Sequence, residues 1–208
     1  INRKAYDIVA GDFTSVGKIR QSVNDLEHFE ELLPQSSLPI IEIGYGVGHD
    51  ARWFIQRGHK YRGIEISPEM QCKSVELTGK DSERFFLVGD CTSWNPPKHK
   101  GLWSNSVVGH IPLDRLEIML KKFVPQMIDR AVVCLRYRVG DLQGNQTSFE
   151  YSLPVTRSYH YHNIDKINEL FEQFGFNILS NVIYTQDYSS VPGKKVKDKA
   201  ILLARLEK

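Results

Sequence analysis

Long apolar runs, paired cysteines and an excess of one charge sign are all missing from this chain of 208 residues. No stretch approaches the ~18 consecutive apolar residues of a membrane span, so no bilayer crossing is expected. Cys72, Cys91 and Cys134 are odd in number and widely spaced, with no Cys-x-x-Cys among them. That excludes a disulfide framework and a zinc knuckle, and a reducing, cytoplasmic compartment is expected. Lys and Arg number 27 against 25 Asp and Glu, too balanced to advertise nucleic acid as a partner. The run Lys194-Lys195-Val196-Lys197 lacks interleaved aromatics and reads as a solvated hairpin tip. Repeats and low-complexity tracts are also absent.

What is present is an ordinary globular composition, 41% apolar and 25% charged, long enough to bury a core without staples. Apolar strand-like runs alternate with helix-period segments, the pattern of an α/β layer protein. Helical spacing covers 18–33 and stops at Pro34; further helices are expected near 50–57, from Pro68, near 113–127, and from Asn163 to Phe174. Strands are expected at 40–43, 61–66, 85–88, 102–108, 131–137, 177–184 and 200–206. The last two are joined without a helix, through a hairpin-like excursion at 186–199. A mostly parallel open sheet with one late antiparallel strand and helices on both faces follows. The chain reads as a single domain, 1–208, with residues 1–33 as a helical flap and 138–162 as an acceptor-site insertion.

The most informative stretch is Ile41-Glu42-Ile43-Gly44-Tyr45-Gly46-Val47-Gly48. A buried strand runs into glycines at alternate positions and then into a helix, and glycine lets a ligand approach the backbone closely. Such a first turn is where open α/β sheets bind ligands. Glu65 ends the next strand, where a carboxylate accepts both hydroxyl protons of a ribose. The spacing is G-x-G-x-G, with His49 where a dinucleotide fingerprint has its third glycine. An NAD(P)-dependent oxidoreductase is therefore the less favoured reading.

The stretch from Glu42 to Arg52 resembles motif I of class I S-adenosylmethionine-dependent methyltransferases. Gly63-Ile64-Glu65-Ile66-Ser67-Pro68-Glu69-Met70 resembles the acidic-loop segment of that family. Val88-Gly89-Asp90-Cys91 is similar to its third motif, the stretch from Leu102 to Pro112 to its fourth, and Phe174-Gly175-Phe176 to its late helix–strand junction. The resemblance implies a Rossmann-like sheet and S-adenosyl-L-methionine as cofactor, with S-adenosyl-L-homocysteine as product. It implies that Gly44 and Gly46 pass under the methionine moiety, Glu65 holds the ribose, and Ile66 lies on the adenine. Asp90 and Cys91 would read the adenine edge, Asn105 and Ser106 would face the methyl, and Tyr6 would close over the cofactor. Glu42, Tyr45 and Met70 fall in the same cofactor set. Tyr45 stands where the family usually has a small residue and is expected to crowd the loop floor.

For the acceptor, His110 is either a histidine satisfied by backbone or a general base, since imidazole titrates near working pH. Arg136 and Arg138 follow the fifth strand and could pair with an acceptor carboxylate or serve in salt bridges. Tyr159 and His160 are expected to line the acceptor pocket; a metal there would need further ligands. The activity expected is methyl transfer to a small molecule, with a catalytically inactive nucleoside-binding scaffold as the alternative.

Overall fold

The computed structural model describes residues 1–20, 23–80, 82–149, 151–186 and 197–208. In chain order, the elements before the sheet centre are α1 (Asn2–Arg20), α2 (Val23–Leu32), β1 (Ile40–Ile43), α3 (His49–Gln56), β2 (Tyr61–Glu65), α4 (Pro68–Thr78), α5 (Ser82–Phe85) and β3 (Phe86–Val88). They are followed by β4 (His99–Asn105), α6 (Leu113–Phe123), β5 (Met127–Arg138), β6 (Gln143–Ser148), β7 (Val155–His160), α7 (Ile164–Gln173), β8 (Phe176–Gln186) and β9 (Lys197–Leu206). Seven strands form one sheet in the order β3-β2-β1-β4-β5-β9-β8. All neighbours from β3 to β5 are parallel, and β9 runs antiparallel to both β5 and β8. The single reversed strand is thus β9.

Apolar side chains on both faces of the strands explain the layers. Ile41, Ile43, Leu102, Val133 and Leu135 join the core cluster with Leu116, Met119 and Leu120 of α6 and Ile167 and Phe171 of α7. Their alternates Ile40, Trp103, Val132 and Cys134 pack with Leu26 and Phe29 of α2 and Phe54 of α3 on the opposite face. The period of two is that of a pleated strand. Side-chain caps start two of the helices where the sequence reading begins them. The Ser67 hydroxyl accepts from the Met70 N–H at 3.1 Å, and the Asn163 side chain accepts from Asp165 N–H at 2.7 Å. Each satisfies an otherwise orphaned N–H of a helical first turn.

Several boundaries move. The expected helix at 18–33 is two helices, and only the second matches the spacing; α1 begins at Asn2. The stretch 1–33 is therefore not one flap, because Leu26 and Phe29 are fully buried core residues. Phe85 ends a short helix, and β4 spans 99–105, leaving Val107 and Val108 in the following turn. Within 138–162, β6 and β7 make a separate two-stranded antiparallel sheet. Most of the expected excursion at 186–199, with Lys194 and Lys195, lies outside the described residues. Among the described residues no helix is long and apolar enough to cross a membrane.

Candidate active site

The carboxyl ends of β1, β2, β4 and β5 open into a cavity of about 350 Å³, which α1 and the β6–β7 hairpin wall from the other side. Helix α1 is tied down at both flanks. Asn2 exchanges two hydrogen bonds with the Ser158 backbone, Asp12 accepts from the Ser152 N–H and hydroxyl, and Asp7 accepts from the Ser67 hydroxyl at 2.6 Å.

The sheet side is built by the glycine turn. Gly44 has φ +71°, and a Cβ there would lie 1.9 Å from Val107 Cγ2. Gly46 has φ +53°, and a Cβ on it would meet nothing within 4 Å. It would stand in the cavity, as expected where a ligand must touch backbone. The Glu65 carboxylate accepts from the N–H groups of Gly46 (3.2 Å), Ile66 (2.8 Å) and Ser67 (3.2 Å). Burial pushes its carboxyl above the usual range, against the pull of those three donors. Glu42 accepts from the Tyr61 hydroxyl at 2.7 Å, and burial, with the Asp50 carboxylate next, raises it well above the ordinary value.

Asp50 is a site residue that sequence reasoning missed. It sits in the first turn of α3, buried, and its Oδ2 accepts from Trp103 Nε1 and Asn105 Nδ2, both at 3.0 Å. Its position just past the glycine turn was the available signal. Asn105 thereby spends its amide on Asp50, while Ser106 beside it is held at φ +69° with its N–H on the Arg136 carbonyl. A serine in the left-handed region, lining a cavity, is stored strain of the kind found at functional sites. Asp90 caps its own turn through Thr92 and has Arg115 3.4 Å from its outer oxygen. Cys91, Ile66 and Met70 complete this wall.

Tyr45 does not crowd the turn. Its ring is buried against Phe86 (centroids 5.0 Å apart), and its hydroxyl donates to the Leu87 carbonyl at 3.0 Å. Gly63 makes this possible, since a Cβ on it would come 2.5 Å from the Tyr45 ring.

On the other side, the imidazole of His110 is fixed by two neighbours. Its Nδ1 lies 2.7 Å from the Ser158 carbonyl, which can only accept, so Nδ1 carries the proton. Its Nε2 is then the acceptor for the Tyr6 hydroxyl at 2.7 Å. Burial lowers its pKa to about 4, so it is neutral at physiological pH. Backbone thus satisfies one nitrogen of His110, and the cavity-lining Tyr6 engages the other. Tyr159 packs against His110 with ring centroids 4.7 Å apart and planes tilted by 37°. His160 does not join them; it alternates with Tyr159 on β7, so it points away and its Nδ1 pairs with Gln143 at 2.7 Å. Arg136 reaches the cavity wall already engaged by Asp25 (3.3 Å) and the Tyr184 hydroxyl (2.8 Å). Arg138 and Arg157 also line the cavity, the latter unforeseen.

A family model described as a methyltransferase domain matches residues 18–181. The chain belongs to that family. A search of curated protein sequences gives no significant match. Among solved structures it resembles an S-adenosylmethionine-dependent methyltransferase from Clostridium acetobutylicum at 13% identity and TM-score 0.69, covering 96% of this chain and 98% of that one. The DhpI–SAH complex is similar at 15% identity and TM-score 0.68, with 99% and 95% covered. Magnesium protoporphyrin IX methyltransferase from Synechocystis with bound SAH is similar at 17% identity and TM-score 0.61, with 99% and 83% covered. The fold is that of the S-adenosylmethionine-dependent methyltransferases.

The site suits that donor on its own chemistry. Glu42, Asp50 and Glu65 are three buried carboxyls lining one wall, and none forms an ion pair with a cation among the described residues. A sulfonium and an ammonium would supply the missing positive charge, two ribose hydroxyls would meet Glu65, and the open space over Gly46 would admit the chain between them.

Proposed function

We propose that this S-adenosylmethionine-dependent methyltransferase acts on a small molecule bearing a hydroxyl group, with Tyr6 and His110 carrying off the acceptor's proton. The observation behind this reading is the Tyr6–His110 hydrogen bond, which faces the same cavity as the glycine turn and Glu65. Closure of the cavity by α1 and the hairpin supports a small acceptor, and so does the likeness to a methyltransferase named for magnesium protoporphyrin IX.

Bound S-adenosylmethionine supplies a methyl group on a sulfonium that leaves as a neutral thioether without assistance. The chain's own residues supply position and a path for the proton. Tyr6 is a poor acid here: burial raises it, although the Arg157 charge opposes that shift. A free phenolate would therefore be costly, and proton movement must be concerted. As the acceptor O–H passes its proton to the Tyr6 oxygen, the Tyr6 proton passes to His110 Nε2, leaving an imidazolium anchored on the Ser158 carbonyl. Glu42, Gly44, Gly46, Glu65, Met70, Asp90, Cys91, Asn105 and Ser106 serve the donor half, and Tyr6, His110, Arg138 and Tyr159 the acceptor half.

Tyr6→Phe keeps the ring that packs edge-on to Phe13 and removes the proton path. Turnover on hydroxyl acceptors, screened with methyl-labelled donor, should fall about 100-fold, the lower end for lost general-base catalysis. S-adenosylhomocysteine affinity should stay within twofold, and thiol acceptors, which ionise unaided, should lose little. Full turnover of Tyr6→Phe on a hydroxyl acceptor would refute the relay.

A further inference from the structure

Cationic side chains inside proteins are nearly always matched by carboxylates. Arg157 is 5% exposed on β7, and Arg138 stands at the end of β5. Neither has a carboxylate partner among the described residues. Their surroundings are aromatic. The Arg157 guanidinium lies over the rings of Tyr151 (4.9 Å), Tyr159 (5.4 Å) and Tyr6 (5.7 Å), and Arg138 over Tyr159 (5.2 Å) and Tyr161 (5.6 Å). Arg157 donates to the Tyr151 hydroxyl at 3.1 Å and also engages the Tyr6 hydroxyl, and its buried Nε has no partner. Arg138 donates to Tyr161 at 2.6 Å. A guanidinium carries five N–H donors, so both retain donors, and both line the cavity. Phenol faces orient these charges without neutralising them.

We propose that Arg157 and Arg138 form an oxyanion pocket, so that the acceptor is a small organic acid whose carboxylate or phosphate is held there. The proposal rests on the small-molecule reading above and narrows it. It assigns a role to Arg157, and it leaves Arg136 to its pair with Asp25. The arrangement divides the cavity by charge: carboxyls wait at the ends of β1 and β2 and in the first turn of α3, and guanidiniums wait at the end of β5 and on β7. A bound oxyanion would also change the proton relay. Burial first, and then Arg157, Arg138 and His160, hold His110 neutral. Tyr6 from α1, with Tyr159 and the Ser158 carbonyl from β7, completes its surroundings. An anion between the two arginines would offset their repulsion of an imidazolium, favouring proton uptake once acceptor is in place.

The test is calorimetric, on S-adenosylhomocysteine-loaded protein, with probes matched in shape: benzoate against benzamide, and phenyl phosphate against phenol. At least one anion should bind ten times more tightly than its neutral partner, and which one does so separates carboxylate from phosphate. Arg157→Gln should lower that affinity at least tenfold and Arg138→Gln several-fold, while Arg157→Lys, which keeps the charge, should lose less. Unchanged melting temperature and S-adenosylhomocysteine affinity would show that the variants fold. Titration of the His110 ring by NMR should move upward on adding the preferred anion to wild type. Equal binding of charged and neutral probes, or full anion affinity in folded Arg157→Gln, would overturn the oxyanion pocket. Methylation of neutral hydroxyl compounds would then leave the small-molecule reading standing. Loss of S-adenosylhomocysteine binding by wild type would sink that reading itself.

Discussion

The two walls of the cavity are built in opposite ways. The wall at the ends of β1, β2 and β4 is acidic, and its residues come from one stretch of chain, 42–106, shaped by glycines whose side-chain hydrogens make room. The wall made by α1, the hairpin and the end of β5 is basic and aromatic, and its parts come from far apart. Tyr6 meets His110 across 104 positions, and Asn2 meets Ser158 across 156. The acidic wall is locally encoded and stiff, being the continuation of a parallel sheet buried on both faces. The basic wall is held by hydrogen bonds between secondary elements and by stacked rings. On the proposed assignment, donor recognition would sit on the part of the fold that tolerates least change, and acceptor recognition on the part most easily altered.

The largest expected effect comes where the two walls share an atom contact. In Gly44→Ala the new Cβ drives into Val107, which leads into the turn carrying His110. Left-handed strain and overpacking together should cost about 2–4 kcal/mol, or roughly 5–15 °C in melting temperature for a chain of this size. Thermal unfolding with and without S-adenosylhomocysteine would check this. A Gly44→Ala protein with unchanged stability would mean that the walls are not mechanically joined at Val107.

Glu65→Ala should separate the walls. It strips the N–H groups of Gly46, Ile66 and Ser67 of their acceptor. Charge-assisted bonds are worth about 1.5–3 kcal/mol, so S-adenosylhomocysteine affinity should fall at least tenfold by calorimetry. Binding of a preferred anion to the basic wall should change far less. Equal losses for both ligands would show one site, not two halves.

The same contrast decides what was legible in the sequence. The glycine turn, Glu65, Asp90 and the strand–helix rhythm were readable because contiguous residues carry them. Tyr45 was misjudged since its slot is provided by Gly63 on a neighbouring strand, a pairing invisible in either segment alone. His160 was placed beside Tyr159 in the pocket, though neighbours on a strand face opposite ways; Val155, Arg157 and Tyr159 are the buried alternates. Reading 155–160 as a strand would have exchanged His160 for Arg157. The Tyr6–His110 bond had no signal in the chain, because only the packing of α1 against β7 and α4 creates it.

The smallest effect tests the basic wall through protons. His110 carries a pKa of about 4 in the folded protein against an ordinary value near 6.5. Between those values the unfolded chain binds a proton that the native state does not, so stability falls as pH falls through this window and rises with pH up to about 6.5. His99, buried at the start of β4, is lowered to about 4 in the same way but belongs to the core beneath α6. Urea unfolding across pH 4–7 should therefore show the uptake of both protons. His110→Asn should remove one of them, lowering the slope by up to about 1.4 kcal/mol per pH unit. His99→Asn should remove the other without touching the basic wall, which makes it the matched control. A slope unchanged in His110→Asn would mean that folding leaves the proton affinity of this imidazole unaltered. Burial and the two arginines would then not be what holds His110 neutral, and the basic wall would not set the proton path that ends at Nε2.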